Sequence, residues 1–257
     1  MVRRVDRGAP TRGAPTVRAA AVIGVLASVV LACGTPDPGP PDAPADLVLA
    51  PTDLPPGFTA QQLSVADLVE ANRGPIQATA DADVTPAFCR PTADESLNAR
   101  LDAKNAAVVA AGSADATLVE LVTTVVRDVG ADALATTERC AQTTVVPRTG
   151  NLRGARIDTR YTRLPEPAAA RNGARIDDSV STRADVTTTL PDGGVIRQIS
   201  FAGYAVLSRP AAPTVTVQLT VSGTPTPAAT RPTEPAAPMT DAQFSTALDD
   251  ALATAER

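Results

Sequence analysis

Three features of the sequence predict an α+β fold in which an antiparallel sheet is flanked by helices. Apolar and polar residues alternate strictly over several runs in the second half, a Pro-Asp-Gly-Gly turn joins two of these runs, and an apolar stripe at helical spacing closes the chain. A chain of 257 residues is long enough for one such domain plus targeting and linker segments.

The elements follow in order. Leu47 to Ala50 is a short apolar run, and the turn-forming residues Pro51 to Gly57 lead into an expected strand ending at Leu63. Ser64 is placed to cap a short helix through Ala71. Ala106 to Ala111 and Thr117 to Val126 are rich in Val, Ala and Thr and read as strands, although Leu118 to Val126 also suits a buried helix. Gly130 to Thr144 is expected to be helical, with Ala133, Leu134, Thr137 and Cys140 on one side.

The clearest periodicity comes next. Ala155, Ile157, Thr159 and Tyr161 alternate with Arg156, Asp158, Arg160 and Thr162, as in a strand with one wet face. Val180, Ala184, Val186 and Leu190 continue the pattern, and Pro191 to Gly194 turn the chain into Val195 to Leu207. Thr214 to Val221 alternates throughout, so three or four consecutive antiparallel strands are expected. After a Pro/Thr-rich loop at 223–238, Thr240 and Gln243 form a capping box for a helix over 240–256, whose stripe of Phe244, Leu248, Ala251 and Leu252 is expected to dock on the sheet.

Aromatic residues make up 2% of the chain and Trp is absent, so Ala, Val and Leu must fill the core. Histidine is also absent, which removes the usual general base and proton shuttle and excludes Ser-His-Asp and Cys-His hydrolases. No metal site, cofactor site or catalytic residue is recognised.

The N-terminus reads as a targeting segment, with residues 1–32 as signal peptide. Five arginines and Asp6 precede an uncharged apolar run from Ala19 to Ala32. Fourteen residues rise about 21 Å as a helix, short of the roughly 30 Å of hydrocarbon a span must cross. The run ends in Val30-Leu31-Ala32-Cys33-Gly34, which resembles the bacterial lipobox. That resemblance implies cleavage before Cys33 and acylation of its thiol, so that lipid tethers the chain to the outer face of the cell membrane. Residues 33–46 then form a spacer containing five prolines, and a single extracytoplasmic domain is expected over 47–257. The mature chain would carry 18 basic and 27 acidic residues, a balance that argues against nucleic-acid binding.

The succession of Leu54-Pro55-Pro56-Gly57-Phe58, Pro86-Ala87-Phe88-Cys89, strands, a segment carrying Cys140 and a meander is similar to small actinobacterial lipoproteins of unknown function. More distantly it resembles the extracytoplasmic sensor domain of a mycobacterial serine/threonine protein kinase. The resemblance implies a sheet flanked by helices and a cleft suited to a ligand. That kinase domain has two disulfides, and this chain has thiols for one.

With Cys33 acylated, Cys89 and Cys140 remain as an even pair in an oxidising compartment, and a disulfide between them is expected. Arg156 and Arg160 are a possible anion site, set against the reading of a solvated face neutralised by Asp158. Asp177-Asp178 and Asp249-Asp250 are candidate carboxylate pairs, yet neighbours on a strand or helix do not face one substrate. The sequence therefore leads to an expectation of a lipid-anchored, non-catalytic, sensor-like envelope protein that binds a small ligand or an envelope protein partner. The alternatives are a carboxylate-dependent cell-wall hydrolase and a lipid carrier.

Overall fold

The computed structural model describes residues 43–257 apart from 169, 171, 172 and 229–235. Residues 1–42, including the expected signal peptide, Cys33 and most of the expected spacer, lie outside the described residues. Among the described residues the architecture is α+β, with one large antiparallel sheet, four α-helices and a disulfide between Cys89 and Cys140.

A strap from Ala43 to Phe58 enters through a 3-10 turn at Pro44–Asp46 and leads to β1 (Thr59–Gln61). Then come α1 (Val65–Ala80), β2 (Asp83–Thr85), a 3-10 turn at Ala87–Cys89 and α2 (Ala93–Asn98). The hairpin β3 (Ala106–Gly112) and β4 (Ala116–Thr123) is followed by α3 (Val129–Thr136) and a 3-10 turn at Glu138–Cys140. The meander β5 (Gln142–Val146), β6 (Arg156–Arg163), β7 (Arg175–Thr189), β8 (Val195–Ser208) and β9 (Val215–Gly223) precedes the two-residue β10 (Thr226–Pro227) and α4 (Asp241–Ala255). The strand order is β1-β3-β4-β9-β8-β7-β6-β5-β2, with β10 pairing β8.

Alternation assigns the two faces. On β8, Ile199, Phe201, Ala205 and Leu207 face the same way as Val215, Val217, Leu219 and Val221 of β9, and α4 covers them with Phe244, Leu248, Ala251 and Leu252. Phe201 and Phe244 stack with centroids 5.2 Å apart. A Cβ at Gly203 would lie 2.7 Å from Leu248 Cδ2, so glycine is what lets α4 ride this close to β8. Thr240 and Gln243 make the anticipated capping box. Leu47 and Leu49 of the strap complete this core at the β4 end. On the opposite face, α1 and α2 pack by Val65 and Leu97 against Ala106 and Leu121, while α3 seats Val129 against Val180 and Val206.

Three expectations are corrected. The helix expected over Gly130–Thr144 stops at Thr136, where Thr137 turns to an extended backbone; Cys140 sits on a 3-10 turn and Gln142–Val146 is strand β5. Alanines permit a helix there, but the β-branched run Thr143-Thr144-Val145-Val146 pairs with β6 instead. The helix begun by Ser64 does not end at Ala71; it continues through Gly74 and Pro75 to Ala80. The strand expected to reach Leu63 ends at Gln61, and its burial pattern is exposed throughout.

Candidate functional site

α1 spans 16 residues, yet Val65 is its one buried residue. A helix normally buries a full stripe against its sheet. Here the stripe at helical spacing, Leu68, Asn72, Ile76 and Thr79, is only half-buried, because beyond its first turns the helix stands off from the sheet. Pro75 lacks the N–H that would bond the Ala71 carbonyl, so the second half of α1 is free to diverge. Arg90 holds that half in place: its guanidinium donates to the carbonyls of Thr79, Ala80 and Ala82 at the C-terminal end of the helix, where a cation is favoured.

The result is a cleft of about 430 Å³ between α1, α2 and the sheet. Its floor is the uncovered polar row of β8 and β9, Tyr204, Gln218, Thr220 and Ser222, beside Val119 of β4. Leu68, Pro75 and Ile76 form one wall, and Thr92, Asp94 and Glu95 lie at the α2 side. Burial raises the Tyr204 phenol well above its ordinary value, so its hydroxyl stays neutral and able to donate.

Arg127 lies beside the cleft, bonded to its lining residues Asp94 and Gln218. Its side chain is 1% exposed, and its fork donates to Asp132 on α3 at 2.6 and 2.8 Å and to Asp94 on α2 at 2.7 Å. Nη1 donates to Gln218 Oε1 at 3.2 Å, and the guanidinium lies 4.0 Å from the Tyr204 ring centroid. The Arg127 backbone N–H also donates to Thr216 Oγ1. Burial pushes the Asp132 carboxyl upward, and the hydrogen bonds from Arg127 pull against that shift. One side chain thus locks α2, α3, β8 and β9 together. Among the described residues, Arg90 and Arg127 are the guanidinium groups beside the cleft and both are committed, so neither is offered to an anion.

A wider groove of about 720 Å³ lies over β5, β6, β7 and β8 and contains Arg156 and Arg160. Arg156 is clamped on Asp158 through Nε and Nη2 at 2.8 and 2.7 Å, and Thr144 bonds both. Asp158 is held below the ordinary carboxylate range by these hydrogen bonds. Arg160 is exposed and pairs in register with Asp185. The anion-binding expectation therefore meets a face whose arginines alternate with carboxylates.

The carboxylate pairs are dispersed. Asp177 accepts a hydrogen bond from Ser208 and pairs with Arg175, while Asp178 approaches α3 at Gly130. Asp249 caps the Ala168 N–H, and Asp250 lines a separate hollow with Asp53. Gly193, with φ of 87°, makes the β7–β8 turn and no phosphate cradle. Among the described residues no group of His, Cys, Asp and Glu is arranged to hold a metal ion, and no helix is long and apolar enough to cross a membrane. The resemblance implied a cleft but none of its residues, and neither Arg127 nor Asp132 was singled out; the signal available was a lone arginine and aspartate flanking a helix start.

No family model matches the chain, and no curated protein matches it. A solved structure of an uncharacterised protein from Mycobacterium smegmatis aligns over 80% of this chain and 93% of its own, at 15% identity and a TM-score of 0.39.

Proposed function

We propose that the chain is a lipid-anchored, extracytoplasmic, non-catalytic envelope protein whose cleft between α1, α2 and the sheet binds a small ligand, in the manner of a sensor domain. The observation that carries this reading is the stand-off of α1, which leaves a polar row of the sheet accessible within a ligand-sized space. Arg90 and Arg127 are already bonded, and Asp94 and Glu95 flank the opening, so the cleft suits a neutral or cationic molecule with hydroxyl or amide groups and an apolar side. Both acids that line it stand on one short helix, so no carboxylate faces another across the cleft as glycoside hydrolysis requires. The polar floor argues equally against carriage of an acyl chain.

Filling the cleft tests this. Native mass spectrometry of the mature domain recovered from its host envelope is expected to show an added small-molecule mass that denaturation releases. Ser222→Trp, which inserts an indole over the floor, is expected to fold normally by circular dichroism and to lack that mass. A wild type without added mass, or a variant that retains it, would contradict the reading.

A further inference from the structure

Glu120 lies in the middle of β4 on the face that carries Leu118 and Val122, and it is 0% exposed. Its register neighbours are Val109 on β3 and Leu219 on β9, and the strap residues Leu47 and Leu49 belong to the same buried cluster as its flanking residues. Oε2 accepts the Leu49 N–H at 2.8 Å, while Oε1 has no hydrogen-bond partner. A buried carboxyl with an orphan oxygen costs far more as an anion than as a neutral acid.

Among the described residues no countercharge bonds Glu120. β3 and β9 carry no charged residue, and Glu120 is the one charge on β4. The strap contributes Asp46 and Asp53, the end of α4 contributes Asp249, Asp250, Glu256 and Arg257, and Arg209 bonds the Arg257 carbonyl. Burial raises the Glu120 pKa from an ordinary 4.5 to about 7, opposed by the hydrogen bond from the Leu49 N–H.

We propose that Glu120 is a proton-operated latch on the N-terminal strap, seating Leu47 to Leu49 as the neutral acid and favouring their release as the carboxylate, which then reaches water. Because the docked form holds the proton more tightly than the released form, docking is strongest below about pH 4.5 and weakens as pH rises through about 7. The strap is the segment through which any N-terminal tether joins the domain, so the latch would couple external acidity to the reach of the domain.

Hydrogen exchange on the mature chain, corrected for intrinsic rates, reads this directly. Between pH 5 and pH 8 the protection of the Leu49 amide in the wild type is expected to fall by roughly tens of fold, while amides of β8 keep theirs. Glu120→Gln retains an acceptor for the Leu49 N–H without the charge, and its strap is expected to stay protected at both pH values. Three outcomes would overturn the proposal: wild-type protection independent of pH, an equal fall in Glu120→Gln, or a fall shared by β8, which would mean global unfolding.

Discussion

Replacing Cys89 and Cys140 together with serine is expected to lower the stability of the domain by about 4 kcal/mol on the chain-entropy account. The two residues are 51 apart in sequence, so the bridge closes a long loop in the unfolded chain, and loop length sets the size of the effect. Such a loss is a large share of the roughly 5–15 kcal/mol that a domain has. Both cysteines are buried, and the bridge joins the 3-10 turn before α2 to the turn after α3. Urea denaturation of oxidised wild type and the double variant measures the difference, and a shift under about 1 kcal/mol would show that the bridge does not constrain the unfolded chain as this account requires.

Arg127→Ala is expected to cost about 3–5 kcal/mol, comparable to loss of the disulfide, because it leaves Asp132 buried without its partner. The pair itself need not be strongly stabilising, since burying both charges is costly. The informative variant is therefore Arg127→Met combined with Asp132→Leu, which removes both charges and is expected to recover most of the loss. Calorimetric unfolding of the three proteins reads this. If the double variant were as unstable as Arg127→Ala, the role of Arg127 would lie in its bonds to Asp94 and Gln218 and its contact with Tyr204, rather than in neutralising Asp132.

The parts of the fold that were legible in the sequence are those where one face is wet and the other dry. Thr214 to Val221 alternates because its odd residues meet α4 and its even residues meet the opposite side, and β9 appears where that pattern lies. The α4 stripe and its capping box were equally plain, since every signal for that helix is local. The disulfide followed from thiol parity, on the expectation that the domain is exported.

Elements decided by tertiary pairing were not legible. Gln142–Val146 adopts a strand because β6 is available beside it, and nothing within Gly130 to Thr144 announces where the helix must give way. Gly74-Pro75 ordinarily ends a helix, so the continuation of α1 to Ala80 depends on Arg90, a residue beyond the next strand. The lining of the cleft was not legible for the same reason: Leu68, Asp94, Val119, Tyr204 and Ser222 come from five elements and share no local pattern. Glu120 carries no local signal within its Val/Leu strand, and its isolation exists only once the strap is folded over it.

The central claim, that this domain acts outside the cell while tethered by lipid at Cys33, is tested most directly by metabolic labelling with a fatty acid in a bacterial host that processes lipoproteins. The wild type is expected to take up label and partition with membranes. Cys33→Ala is expected to take up none and to appear as an uncleaved precursor or a released product. Incorporation of label into Cys33→Ala, or a wild type that remains unlabelled and soluble, would contradict the account.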